Sequence, residues 1–116
     1  MGEDAKALKL FEEISEKTSA SRIRWEPTAE ENLFIASVGG QFTLAVSRKE
    51  GTDSWGNDTE EFALVLKDKE HELIRVTPGG ESISQFQMRD LFEMARRKAL
   101  RVDDKIDDFL GELGKL

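Results

Sequence analysis

Cysteine is absent from the 116 residues, which excludes disulfides, thiolate nucleophiles and cysteine-based zinc or iron–sulfur centres. A single histidine leaves too few imidazoles for a multi-histidine metal site within one copy. No apolar run approaches the ~20 residues that a membrane-spanning helix requires. Residues 1–10 are too acidic and too interrupted to read as a signal peptide, so a cytoplasmic, bacterial-type protein is expected. Positive charge is also in short supply. Lys and Arg number 17 against 24 Asp and Glu, a net −7. Such a field repels nucleic-acid phosphates and anionic membranes, and either partner would need a strong local basic patch. The simpler role of the charge is solubility.

What is present suits one compact α+β domain spanning residues 1–116. Hydrophobic positions make up 38% and charged positions 35%, and a chain of this size buries roughly two-thirds of its unfolded surface without needing a metal or a disulfide. Ala7, Leu10, Phe11, Ile14 and Thr18 recur at helical spacing, which predicts a helix over residues 3–19. Residues 22–26 alternate with period two and read as a short strand that Pro27 ends. Leu33–Val38 is apolar and β-prone, Gly39-Gly40 reads as a two-residue hairpin loop, and residues 41–48 form the returning strand. Residues 49–60 read as a long polar loop. Strands follow at 61–68 and 72–76, joined by a turn at Lys69-Glu70-His71, and Thr77-Pro78-Gly79-Gly80 closes the sheet. From Ser82 the period becomes helical, with Met88, Leu91, Phe92, Ala95, Ala99 and Val102 in one stripe and Ile106, Phe109, Leu110 and Leu113 continuing it.

Charge places a break inside that stripe. Residues 84–102 carry a net +3 and residues 103–116 a net −3. Cations closing one helix and anions opening the next both suit the helix dipole, with Asp103 as N-cap of the second. The expected architecture is therefore a two-layer sandwich: an N-terminal helix, a four- or five-stranded antiparallel meander and two C-terminal helices.

Chemistry has few places to reside. Asp103, Asp104, Asp107 and Asp108 share one side of a helix, a spacing that can hold Mg²⁺, although no phosphate-binding site accompanies it and a solvated acidic face accounts for it as well. Arg89, Arg96, Arg97 and Arg101 form a basic stripe suited to phosphates or to an acidic protein surface. Glu93 stands ready to pair with Arg96 and Arg97. Trp55, in the polar stretch 52–59, could anchor a partner, cover a ligand cavity or fold back to cap the core. That stretch resembles a calcium loop in composition only, because Trp55 and Gly56 break the ligand alternation. His71 stands without a nucleophile and reads as a solvent-facing turn residue. Gly39-Gly40 and Gly79-Gly80 fit no phosphate-binding motif. Trp25 reads as core. No catalytic constellation, cofactor site or metal site emerges.

The order Trp25-Glu-Pro-Thr28, then Leu33–Val38, then the run from Leu91 to Leu113 resembles a group of small bacterial proteins, most specifically at Ala95-Arg-Arg-Lys-Ala-Leu-Arg-Val-Asp103. The resemblance covers most of the chain and implies a bacterial accessory protein, with no activity or site attached. The expectation is a non-enzymatic interaction or adaptor module that binds another protein or a second copy of itself. Phe109 and Leu113 of an amphipathic C-terminal arm would make the contact, with Trp55, Arg96, Arg97 and Arg101 as further candidates. The alternatives are a small-molecule-binding domain with the Trp55 loop as lid and a weak nucleic-acid binder through the arginine stripe. A membrane partner is not expected.

Overall fold

The computed structural model describes residues 2–79 and 83–116. Gly80 and Ser82, assigned above to the closing turn and the start of the helical period, lie outside the described residues. The element order is α1 (Gly2–Ser19), β1 (Glu26–Pro27), β2 (Leu33–Val38), β3 (Phe42–Thr52), β4 (Asp58–Asp68), β5 (His71–Val76), α2 (Gln85–Leu100) and α3 (Val102–Leu113). The strands form one antiparallel sheet in the order β1-β2-β3-β4-β5, so each neighbour in sequence is a neighbour in space. This is the α+β architecture that the patterning predicts.

Alternation along the strands decides which sheet face is covered. Phe34 and Ala36 of β2, Leu44 and Val46 of β3, Phe62 and Leu64 of β4 and Val76 of β5 point to one side and are buried. Against them pack Phe11 and Ile14 of α1 and Met88, Leu91, Phe92 and Ala95 of α2, which together form a single core. Phe92 sits between two sheet aromatics, its ring centroid 5.6 Å from that of Phe34 and 5.7 Å from that of Phe62, both tilted. Tilted pairs of this kind add to the value of area burial. Trp25 closes the core beside α1. It is 3% exposed, and its Nε1–H donates to the fully buried hydroxyl of Thr18 at 3.0 Å, so each polar group satisfies the other. On the opposite sheet face Ile35, Ala45, Val65 and Arg75 line up in register, and Val65 is buried there without joining the core.

Several boundaries differ from the sequence expectation, each for a physical reason. The first strand is only Glu26–Pro27, not residues 22–26, and Pro27 is its last residue. As the edge strand, β1 tolerates a residue that cannot donate. The loop between β2 and β3 spans three residues, because Val38 pairs with Phe42. Gly39 and Gly40 take φ of 67° and 74°, which a side chain would strain. The polar stretch 49–60 is no loop. β3 and β4 run 11 residues each and pair from Phe42↔Asp68 out to Thr52↔Asp58. Cross-strand ion pairing replaces apolar burial in that outer half. His71 is exposed, as expected, yet it begins β5 opposite Asp68 instead of lying in the turn.

The break between the last two helices falls at Arg101, one residue before the expected junction. Arg101 is left-handed (φ 52°, ψ 47°), and its N–H reaches the carbonyls of Arg97 and Lys98 to end α2. Asp103 is therefore not the N-cap. It lies in the first turn of α3, where its charge still suits the dipole. At the other end α2 starts with a complete capping box between Ser84 and Gln87.

Truncating Phe92 or Leu91 to Ala should lower the unfolding free energy by about 3–5 kcal/mol, whereas Leu113→Ala should change it by less than ~0.5 kcal/mol in dilute solution. Urea titrations of the three variants check this, and a comparable loss for Leu113→Ala would place α3 in the core.

Candidate functional site

Helix α3 presents the largest discontinuity between sequence and burial. Ile106, Phe109, Leu110 and Leu113 fall at i, i+3, i+4 and i+7, the spacing of a single apolar stripe. None of the α3 residues is buried. Phe109 is 61% and Leu110 56% exposed, with Ile106 at 47% and Leu113 at 45%. α3 packs on α2 alone and projects from the body as an arm. The arm and the long β3–β4 hairpin give a radius of gyration of 16.2 Å and extents of 58 × 43 × 24 Å, against about 13 Å expected for a compact chain of this length.

The root of the arm is held in place by charge. Arg97 pairs with Asp103 at 2.6 Å and Arg101 with Asp104 at 3.0 Å across the left-handed residue. Lys98 Nζ donates to Ser21 Oγ at 2.6 Å, tying the end of α2 to the segment after α1. Arg96 pairs with Glu93 at 3.7 Å. The basic stripe is thus neutralised within the chain: Arg96, Arg97 and Arg101 each face a carboxylate of their own molecule. The aspartates of the acidic run are divided as well, since Asp103 and Asp104 serve arginines. Among the described residues no group of three or more His, Asp or Glu side chains is placed to hold a metal ion.

Trp55 does not cap the core. It is 86% exposed at the tip of the β3–β4 hairpin and lines none of four surface grooves. Its position follows from Asp53, whose Oδ1 accepts the backbone N–H groups of Trp55 and Asn57, both at 2.9 Å, and so closes the five residues between the strands. Hydrogen bonds from Asn57 and then Trp55, with burial opposing, hold the Asp53 carboxyl below the usual carboxylate range. Lower on the hairpin Glu60 accepts from Arg48 Nε and from Arg89 of α2, and Arg89 lies 5.9 Å from the centroid of Phe62. The Arg48 hydrogen bond, opposed by burial and reinforced by the charges of Arg48 and Arg89, lowers the Glu60 pKa. The same pairing raises that of Arg48.

A second apolar surface escaped the sequence reading. A groove of about 600 Å³ runs between α1, residues 22–24 and the end of the β2–β3 hairpin. Ile14 and Leu44 form its floor, and Val38 and Phe42, 43% and 36% exposed, form its wall. Lys17, Arg22 and Arg24 stand along its rim and, among the described residues, enter no ion pair. These residues come from three separate segments with no shared periodicity, so only their convergence in space shows the groove.

No family model matches the chain, and no curated protein or solved structure shows significant similarity to it.

Because Asp53 and Glu60 titrate lower in the folded hairpin than in the unfolded chain, the stabilisation they give is complete above the ordinary carboxylate pKa. It is lost as pH falls through the lowered folded values. Carbon-detected NMR titration should place both midpoints below their ordinary values, with amide protection at Trp55 and Asn57 disappearing over the same acid range. A Glu60 midpoint at or above the ordinary glutamate value would contradict the pairing.

Proposed function

We propose that the protein is a non-enzymatic protein-interaction module and that α3 is its docking element. The observation that supports this reading is the bare apolar stripe of α3. An amphipathic helix gains its stability by burying its apolar face, and this one has four large side chains in the helix-in-groove anchor pattern, none of them buried by the described residues. Scattered exposed leucines are ordinary, whereas a contiguous stripe marks a contact surface. The core supports the same reading, because α1 and α2 supply its whole helical side and no residue of α3 belongs to it. Phe109, the largest and most exposed member of the stripe, is the anchor, and Asp107 and Asp108 keep the arm hydrated between encounters.

A photo-cross-linking amino acid placed at position 109 and activated in producing cells should give a protein adduct. The same group at Asp108, on the polar side, should give little. Absence of any protein adduct from position 109, or equal labelling from both positions, would overturn the reading.

A further inference from the structure

Ten large hydrophobic side chains are exposed among the described residues, and seven of them fall on two surfaces. Ile106, Phe109, Leu110, Leu113 and Leu116 belong to the arm, and Val38 and Phe42 to the groove beside α1. The two surfaces are opposite in kind: one is a convex helical stripe and the other an apolar trough. They are also opposite in charge. Asp107 flanks the stripe of α3 on one side and Glu112 on the other, where Lys105 stands two turns earlier. Residues 103–116 carry a net −3, Asp107 has no ion-pair partner among the described residues and Glu112 has only exposed Lys115. The groove rim carries Lys17, Arg22 and Arg24, with Glu13 as the one acid on its lining.

We infer that α3 of one copy lies in this groove of a second copy, and the second copy's α3 in the groove of the first. This rests on the reading of α3 as the docking element and names its partner. The arm's root explains why the contact is made between copies. Lys98 bonds Ser21, and Ser21 shares a surface cleft with Arg101, Asp103 and Asp104 at the arm's root, one residue before Arg22 of the groove rim. α3 itself, however, contacts α2 alone and none of the elements that form the trough. Where an arm springs from beside its receptor site, a two-fold axis between the roots brings each arm to the other's groove, and the contact is self-complementary and closed. The association buries Phe109 and Leu113 against Val38 and Phe42 and supplies the rim cations with carboxylates. Charge complementarity across the rim sets register and encounter rate more than affinity.

Light scattering and sedimentation of the full chain test it, using four forms that retain the fold by circular dichroism. The wild type should be a dimer. Lys17→Glu with Arg24→Glu should weaken dimerisation about tenfold, and so should Asp107→Lys with Glu112→Lys, through like-charge contact. The chain carrying all four reversals should return to near the wild-type value, a recovery that also requires an intact fold. A monomeric wild type, or a dimer weakened by the arm reversals but indifferent to those in the groove, as pairing of two α3 helices would give, overturns the inference. The cross-link at position 109 separates this failure from that of the broader reading: an adduct with a different protein sinks the second copy and keeps the arm, and no adduct sinks both.

Discussion

The placement of Phe92 between Phe34 and Phe62 is the contact on which the remaining architecture depends. It fixes α2 against β1 to β4, with Met88, Leu91 and Ala95 sealed beneath the same helix. Once α2 lies there, α1 has only the neighbouring strip of the sheet to cover, and it does so with Phe11 and Ile14 while the Thr18 hydroxyl accepts the hydrogen bond of the Trp25 indole. One helix pair and one sheet face thus close a core without help from any other element.

That closure has a consequence for the residues that follow. α3 carries as clear an apolar stripe as α1 or α2, but it contacts α2 alone and no strand, and none of its residues belongs to the core. Its start is set by a left-handed Arg101 and two ion pairs at exposed positions, contacts that orient a helix but contribute little to holding it. The arm consequently projects with its apolar side in water. The same economy governs the β3–β4 hairpin, whose outer half extends past the helices and depends on the strand ladder, on Arg48 and Glu60, and on the Asp53 turn instead of on burial. Both projections belong to the part of the molecule whose stability is local, where recognition elements are commonly found.

Sequence periodicity revealed the elements whose energetics are local or strictly alternating. The α1 stripe, Leu33–Val38 with its glycine pair, the helix break near residue 102 and the burial of Trp25 were all legible from spacing and charge. Residues 49–60 were not, because a strand that projects beyond its core has no apolar alternation to reveal it, and glycines and aspartates in such a stretch suggest a loop. Trp55 was left open between an outward anchor, a lid and a cap on the core, because the spacing of its polar stretch does not show the Asp53 turn that holds it outward. Phe109 and Leu113 were visible as an amphipathic face. What the pattern could not convey is whether that face was covered, since burial is a property of the assembled chain. The groove of Ile14, Val38, Phe42 and Leu44 was out of reach altogether, as its residues come from separate segments.

The account holds that the core is complete without α3 and that the arm's apolar face is covered only by association. Hydrogen exchange of the α3 amides as a function of protein concentration tests it most directly. Protection of residues 106–113 should rise with concentration while that of residues 88–95 stays constant. Protection of α3 that equals that of α2 and does not change on dilution would show the arm packed within its own molecule, and would contradict the account.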